Sequence, residues 1–324
     1  MMIPTWPREE SSTRILSVDR QGGGSGCNFA VDMRSLDPSI PVATIGLRGD
    51  DDDGDFLYEV AVSHGIDATR LQVVPNISTH RTMAFTAADT SRRTHIFNAS
   101  SADLLTPDHF DFANLSGRML HLGLPGTHAR LDAPWGDDHS GWLTVLRRAR
   151  SAGLATNMEV MTIPKDDLRR ILSPCLPHLD YLVVNDFEIG ALSGRDTLDE
   201  AGTTQLGEVE SAAREIATRG TMSVVVVHFP KGAVAVTCDG LIVRHASVDF
   251  PADQVVGTNG AGDAFAAGFF CALASDQSLH GALALGHAAA AASLCALGTT
   301  DGVLPMYECL ALAEQYGWRS MKAG

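Results

Sequence analysis

The most informative part of the sequence is Gly257-Thr258-Asn259-Gly260-Ala261-Gly262-Asp263-Ala264-Phe265-Ala266-Ala267-Gly268, in which glycines precede an apolar helical pattern. Glycines before a helix permit a sharp turn and leave the first backbone N–H groups unobstructed. Those N–H groups, together with the helix dipole, favour a bound anion. Asp263 falls in the predicted first turn, where its carboxylate could take a proton from a hydroxyl beside a bound phosphate. From the residues alone, an ordinary glycine-rich turn with an acidic helix start is an equally good interpretation.

Two other phosphate-binding motifs are excluded by their spacing. The sequence contains no G-x-x-x-x-G-K-[ST] string, which excludes the phosphate loop of Walker-type NTPases. A dinucleotide fingerprint needs a third glycine after Gly260 and Gly262, but Phe265 stands at that place. The segment Gly22-Gly23-Gly24-Ser25-Gly26-Cys27 fails the same test.

Outward from this segment, short runs rich in β-branched residues alternate with helical patterns. The predicted strands are 42–46, 119–123, 154–159, 181–184 and 223–227. The predicted helices lie near 27–36, 54–64, 138–152, 164–173, 207–219, 264–273 and 279–297. Apolar strands separated by helices indicate a parallel sheet that is covered on both faces. The sequence therefore predicts a single α/β domain over residues 1–324, with a doubly wound, mostly parallel sheet and helices on both faces.

The region 80–98 breaks this alternation. Two extended runs, 80–87 and 92–98, are separated by the polar segment Ala88-Asp89-Thr90-Ser91. This pattern predicts a β-hairpin. Because the hairpin falls between a helix and a strand of the α/β pattern, we expect it to project from the sheet as a flap.

Composition and charge limit the classes of partner. The chain has 324 residues, 45% of them hydrophobic, and its 24 basic and 39 acidic residues give a net charge of −15. Such an acidic protein repels nucleic acid and anionic membranes, and it leaves a small-molecule ligand as the expected partner. The six cysteines include no C-x-x-C pair, which predicts reduced thiols and a cytoplasmic protein.

Four ordered motifs resemble those of the ribokinase-like (PfkB) carbohydrate kinases. The 257–268 segment is similar to that family's D-T-x-G-A-G-D-x-F-x-x-G signature. The other three motifs are Gly23-Gly24-Ser25-Gly26-Cys27-Asn28-Phe29-Ala30 (G-G-x-x-x-N-x-A), Gly49-Asp50-Asp51-Asp52-Asp53-Gly54 (G-D-D-x-x-G) and Asn185-Asp186-Phe187-Glu188 (N-x-x-E). Their order and spacing agree over residues 5 to 300. The resemblance implies a ribokinase-like fold with a small β-lid formed by segments near 11–20 and 78–98.

The resemblance also implies a role for individual residues. Asp263 would be the catalytic base that deprotonates the acceptor hydroxyl. The implied binding groups are an anion hole at Asn259, Gly260, Ala261 and Gly262, a sugar-binding turn at Gly23, Gly24 and Asn28, and nucleotide-binding residues at Asn185, Glu188 and His287. The implied cofactors are ATP and Mg²⁺, with Glu188 holding the metal through water. The outer face of the lid would support a homodimer.

The resemblance leaves three functions open. The first is phosphorylation of a hydroxymethyl group on a small sugar or sugar derivative, and the second is phosphorylation of a nucleoside. The third is a catalytically silent ligand-binding homologue, which the departure at Gly257 motivates because the family usually has aspartate there. That aspartate helps many members to bind a monovalent cation, so activation by K⁺ is doubtful for this chain.

One expectation concerns the beginning of the sequence. In the resembling family, a buried first strand precedes the segment that corresponds to Ile3-Pro4-Thr5-Trp6-Pro7. A strand missing from the middle of a parallel sheet leaves backbone groups of its neighbours unpaired, at about 1–3 kcal/mol per buried group. We therefore expect this first strand upstream of Met1. The alternative is that another segment or a partner chain fills its place.

Overall fold

A computed structural model of the chain describes residues 1–90, 93–113, 115–161 and 163–321. The strands in this part of the chain are β1 (Met2–Ile3), β2 (Ala43–Gly49), β3 (Asp67–Val74), β4 (Arg81–Ala87), β5 (Arg93–Asn98), β6 (Met119–Leu122), β7 (Ala155–Met158), β8 (Tyr181–Asn185), β9 (Val224–Phe229), β10 (Gly232–Thr237) and β11 (Ile242–Ala246). The helices are α1 (Ser25–Leu36), α2 (Asp52–Ser63), α3 (Ala129–Asp132), α4 (Gly141–Ser151), α5 (Lys165–Leu172), α6 (Asp186–Ser193), α7 (Leu206–Ala217), α8 (Ala261–Ala274), α9 (Leu279–Ser293) and α10 (Met306–Tyr316).

The main sheet has six strands in the order β11-β10-β9-β8-β7-β6. Strands β6 to β9 are parallel, and the pairs β9–β10 and β10–β11 are antiparallel. Successive valine side chains of β9 point to opposite faces of the sheet, since Val225 packs in one core and Val226 in the other. Helices α4 to α7 cover the first face, and α1, α8, α9 and α10 cover the second. The doubly wound, mostly parallel α/β fold predicted from the sequence is confirmed.

Two smaller sheets accompany the main one. Strands β2 and β3 form a parallel pair, and β1, β4 and β5 form a three-stranded sheet. The predicted hairpin is confirmed, because β4 and β5 are antiparallel neighbours. Ser91 and Arg92, at its predicted turn, lie outside the described residues. The segment 11–20 reaches this three-stranded sheet through Ser17, whose carbonyl accepts a hydrogen bond from the backbone N–H of Met2 at 3.0 Å.

An acidic residue at the start of α2 has a local structural role. Asp51 caps α2 by accepting a hydrogen bond from the Gly54 N–H at 2.9 Å, and its other oxygen accepts one from the Thr79 N–H at 2.9 Å. The Thr79 hydroxyl in turn accepts a hydrogen bond from the Gly49 N–H at 2.9 Å. These contacts fix the base of the hairpin to the carboxyl end of β2.

The structure corrects several predicted boundaries. The helix expected over 279–297 ends at Ser293, because the chain must turn there for the Thr299 backbone to pack against Gly260. Strands β3, β10 and β11 were not predicted. The sequence of β3 mixes charged and apolar residues and half of them are exposed, so it lacks the apolar run of a central strand.

Within the described ranges, no helix is both long and apolar enough to cross a membrane.

Candidate active site

A cavity of about 2310 Å³ lies where the starts of α1 and α8, the carboxyl ends of the parallel strands and the β4–β5 hairpin meet. Most of the site residues predicted from the sequence line it. They are Gly23, Gly24, Asn28, Asn185, Glu188, Asn259, Gly260, Gly262 and Asp263. The predicted residues Ala261 and His287 do not line it. The cavity therefore brings together segments that are up to about 240 positions apart in the sequence, as the gap from Gly23 to Asp263 shows.

The turn before α8 depends on glycine. Gly260 has a φ of +76°, and a Cβ atom at this position would lie 2.0 Å from the carbonyl oxygen of Thr299. Among the described side chains, none caps this end of α8. Its first N–H groups therefore keep their capacity to bind an anion in the cavity.

The start of α1 also has a glycine with a positive φ, and it contacts α8 at Asp263, the candidate catalytic base. Gly24 has a φ of +83°, and α1 too begins without a capping bond from any side chain that the structure describes. One turn later, the Asn28 side-chain amide donates a hydrogen bond to Asp263 Oδ2 at 2.6 Å. Two helix starts that favour anions thus converge on the same cavity, and the Asn28–Asp263 contact joins them.

Asp263 lies in an environment that favours its protonated form. Burial raises the pKa of the Asp263 carboxyl well above its usual range, and the adjacent negative charge of Glu159 raises it further. The hydrogen bond from Asn28 acts in the opposite direction but does not reverse the shift. Burial also raises the pKa of the Glu159 carboxyl, so the site favours a state in which the two acidic groups are not both charged.

Glu159 is a site residue that the sequence did not predict. Its Oε2 atom accepts hydrogen bonds from Ser25 Oγ at 2.6 Å and from His121 Nε2 at 2.9 Å. Burial lowers the pKa of His121 to about 4, and the ring is therefore neutral at pH 7. The Asn157 side-chain amide lies 3.0 Å from His121 Nδ1 and donates to it, which leaves the proton on Nε2 to be donated to Glu159.

A signal for Glu159 was present in the sequence. A carboxylate at the end of a predicted parallel strand lies at the carboxyl edge of the sheet, and ligands of open α/β sheets bind at that edge. Glu159 follows β7 in this way. The contact with Asp263 had no such signal, because it joins residues that are far apart in the sequence.

The Asn185-x-x-Glu188 motif forms a reciprocal capping box at the start of α6. The Glu188 N–H donates to Asn185 Oδ1 at 2.8 Å, and the Asn185 N–H donates to Glu188 Oε2 at 2.9 Å. Both residues also line the cavity. The structure describes no group of three or more acidic, histidine or cysteine side chains that could hold a metal. A Mg²⁺ ion that uses one carboxylate, waters and phosphate oxygens fits this donor set, since Mg²⁺ commonly binds in that way.

Two predicted positions have surroundings that the sequence did not indicate. At Gly257, a Cβ atom would lie 2.6 Å from the carbonyl oxygen of Ala296, so the usual aspartate of the resembling family does not fit this backbone. His287 is buried in α9, with its ring centroid 4.9 Å from that of Phe265 and 6.0 Å from that of His245. Burial lowers the pKa of His287 to about 3, so its ring is neutral. His287 does not line the cavity.

Comparisons with known proteins agree with this architecture. The sequence model of the pfkB family carbohydrate kinases matches residues 1–305. The ribokinase of Haemophilus influenzae is 25% identical over 299 residues, which are 90% of this chain and 87% of that protein. The adenosine kinase of Schizosaccharomyces pombe is 31% identical over 112 residues, which are 35% of this chain and 33% of that protein.

A solved structure shows the same fold. The ribokinase of Arabidopsis thaliana, in complex with ribose and ATP, superposes with a TM-score of 0.77. Its sequence is 21% identical, and the match covers 97% of this chain and 94% of that one.

Proposed function

This chain belongs to the pfkB family of carbohydrate kinases, and from that membership we propose that it transfers the γ-phosphoryl group of ATP to a hydroxymethyl group of a small sugar or sugar derivative. The observation that carries the proposal is the meeting of the α1 and α8 starts at the Asn28–Asp263 hydrogen bond. This arrangement places a buried carboxylate beside backbone N–H groups that can bind phosphate. A catalytic base and groups that bind phosphate are both recurring parts of enzymes that transfer a phosphoryl group to an alcohol.

Asp263 acts as the general base in this proposal. The acceptor hydroxyl replaces Asn28 or Glu159 as a hydrogen-bond partner of the carboxylate and gives up its proton as the new O–P bond forms. The raised pKa of Asp263 makes it a stronger base once it is deprotonated. It also means that the free enzyme must lose a proton before it can act.

The backbone at the start of α8 stabilises the charge on the transferring group. The N–H groups at 260–262 are fixed in direction by the glycine turn, so they need little rearrangement as charge develops on the phosphoryl oxygens. Asn259 lines the cavity immediately before this turn. Positioning and charge stabilisation are the main contributions that a protein makes to this reaction.

Mg²⁺ would be held near Asn185 and Glu188, mostly through water and the phosphates. When bound, it supplies positive charge to the triphosphate oxygens. The capping box keeps both side chains at the carboxyl end of β8, where they face the cavity.

The hairpin β4–β5 forms the lid of the site. Its residues Thr82, Ala84 and Phe97 line the same cavity as Asp263. Closure of such a lid excludes water, which would otherwise compete with the alcohol as the phosphoryl acceptor.

We extend the proposal to a homodimer formed through the lid. Ile15, Leu16, Val18 and Ile96 are exposed apolar side chains on the lid segments, a grouping that favours a protein contact. Sedimentation of the protein and of Ile96→Asp tests this, and a parent protein that sediments as a monomer would contradict it.

All six cysteines are free thiols, which supports a reducing compartment such as the cytoplasm.

Nucleoside phosphorylation is the second candidate. The match to an adenosine kinase, at 31% identity, favours it, although that match covers about a third of each chain. A screen of ADP release over pentoses, hexoses, their derivatives and nucleosides separates the two candidates. Turnover with sugars supports the first, and turnover with nucleosides supports the second. ATP binding without turnover on any acceptor would contradict both and indicate a silent homologue.

A further inference from the structure

A loop after α9, residues 294–301, contacts both glycine turns of the site. We call residues 21–24, which lead into α1, the acceptor-side turn, and residues 257–262, which lead into α8, the phosphate-side turn. Thr299 lies near the end of the loop, where it is half-buried and lines the cavity. Its backbone contacts one turn, and its hydroxyl and N–H contact the other.

The loop packs closely on the phosphate-side turn through its backbone. The Thr299 carbonyl oxygen would lie 2.0 Å from a Cβ atom at Gly260, and the Ala296 carbonyl oxygen would lie 2.6 Å from one at Gly257. The N–H of the residue before this turn, at 256, donates to the carbonyl oxygen of the residue at 294, at 2.8 Å. Backbone atoms packed this closely leave little room for one segment to move without the other.

The same loop holds the acceptor-side turn through hydrogen bonds. The Thr299 hydroxyl donates to the carbonyl oxygen of Gly22 at 3.2 Å, and the Thr299 N–H donates to Gln21 Oε1 at 3.2 Å. The Gln21 side-chain amide also donates to Asp301 Oδ2 at 3.3 Å. Gln21 thus uses both of its side-chain groups on the loop, although it lies 278 positions from Thr299 in the sequence.

Thr299 supplies a second point of contact between the starts of α1 and α8. The first is the hydrogen bond between Asn28 and Asp263, which lies inside the two helices. A single hydrogen bond fixes a distance but permits rotation about it. Two contacts at separate places also fix the direction, so the turns before α1 and α8 keep one orientation relative to each other.

We propose that Thr299 is a positioning residue that fixes the acceptor-side turn relative to the phosphate-side turn, so that a ligand bound at one turn orders the other. This inference rests on the proposed function, which supplies the two ligands. Thr299 acts through Gly22 and Gly260 and takes no part in the proton transfer. Such coupling is reciprocal, and the net effect of one neutral hydrogen bond limits it to about 3- to 10-fold in affinity.

Hydrogen exchange without any ligand tests the contact itself. Thr299→Val removes the hydroxyl but keeps the backbone N–H and a side chain of similar shape. We expect the N–H at position 299 to lose about 3- to 10-fold in protection, because its bond to Gln21 opens more often once the hydroxyl no longer holds Gly22. Thr299→Ser keeps the hydroxyl and should retain the protection of the parent. Unchanged protection in Thr299→Val would overturn the proposal.

A second exchange experiment measures whether order passes from one turn to the other. The probe is ADP with Mg²⁺, which would occupy the phosphate side without an acceptor and without turnover. In the parent, we expect it to slow exchange directly at amides 260–264, and by about 3- to 10-fold at amides 22–26 through Thr299. In Thr299→Val the slowing at 260–264 should persist while that at 22–26 is largely lost. Thr299→Ser should restore it.

Thr218→Val is the matched control for both experiments. The Thr218 hydroxyl likewise donates to a backbone carbonyl, that of Glu215 at 2.7 Å, but at the end of α7 and away from the cavity. This variant should behave as the parent does. Equal slowing at 22–26 in Thr299→Val and the parent would overturn the inference and leave the proposed function standing. Absence of slowing at 260–264 in the parent would contradict the proposed function, and the ligand-free experiment would still decide the role of Thr299.

Discussion

Two parts of the molecule differ in whether their strands have neighbours on both sides; we call them the complete half and the open half. In the half formed by β8, β9 and α8, the strands have partners on both sides and their apolar residues are buried. In the half formed by β2, β6 and α1, the two strand edges face an open cavity. The groups proposed to handle phosphate, Asn185, Glu188 and the 260–262 turn, belong to the complete half. The acceptor side depends on the open half.

This difference indicates which interactions secure each half. The phosphate-binding turns depend on local geometry, such as the φ of Gly260 and the capping box of α6. The acceptor side depends on contacts between distant segments, such as the Asn28–Asp263 hydrogen bond. We therefore expect changes in the complete half to alter chemistry or the turn itself, and changes in the open half to alter stability and its dependence on pH.

The largest expected effect is at the point where the two halves meet. Asp263→Asn removes the base but is nearly isosteric, so we expect kcat to fall by about 10²–10⁴-fold while ATP affinity changes only a few-fold. Steady-state kinetics and ATP titration measure both values. Asp32→Asn is a matched control, because Asp32 is also a buried carboxyl but does not line the cavity. Retention of more than about a tenth of kcat by Asp263→Asn would exclude Asp263 as the base.

The next effect tests whether the complete half depends on its glycine turn. Gly260→Ala forces a Cβ atom against the Thr299 carbonyl at a positive φ, which costs at least about 1–3 kcal/mol of stability. Denaturant unfolding should show this loss, together with weaker ATP binding. Gly207→Ala is the control, since no atom lies within 4 Å of a Cβ at that helical position. If both variants unfold at the same denaturant concentration, the turn is less constrained than its geometry indicates.

A smaller effect concerns the influence of Glu159 on the pKa of Asp263. The base must be deprotonated, so kcat/KM should rise with pH through the raised pKa of Asp263 and then level off. Glu159→Gln removes the negative charge that adds to this rise in pKa, so the acidic limb should move to lower pH. Glu208→Gln changes the net charge equally at an exposed ion pair with Arg195 and should leave the limb unmoved. If the acidic limb of Glu159→Gln stays in place or moves to higher pH, the charge of Glu159 does not raise the pKa of Asp263.

The features that the sequence predicted are those that consecutive residues determine. The glycine turn at 260–262 and the Asn185–Glu188 pair could be predicted because each is complete within a few residues. The meeting of Glu159, His121 and Asp263 could not, because the fold brings together three segments with no shared local pattern. Strand β3 was missed for another reason: it mixes charged, polar and apolar residues and half of them are exposed, so its sequence shows neither an apolar run nor alternation.

The smallest expected effect tests the open half through Asp32 of α1. Its side chain is fully buried, and neither carboxyl oxygen has a hydrogen-bond partner among the described residues. Burial raises its pKa well above the usual range, and the charges of Asp263 and Glu159 add to the shift. The folded protein therefore keeps a proton at a pH where the unfolded chain has lost it, so stability falls as pH rises from about 4 towards the raised pKa.

Asp32→Asn keeps the shape of the side chain and cannot ionise, so it lacks this pH-dependent loss. We expect its melting temperature to match that of the parent most closely near pH 4, and its advantage to grow by about 2–4 °C per pH unit above that. Calorimetry from pH 4 to pH 8 measures the difference between the two proteins. Asp37→Asn, at a partly exposed position whose hydrogen bonds with Ser39 lower its pKa, should show a pH dependence of the opposite sign. A constant difference between Asp32→Asn and its parent would mean that Asp32 is solvated, and that α1 packs less closely against α8 than the structure shows.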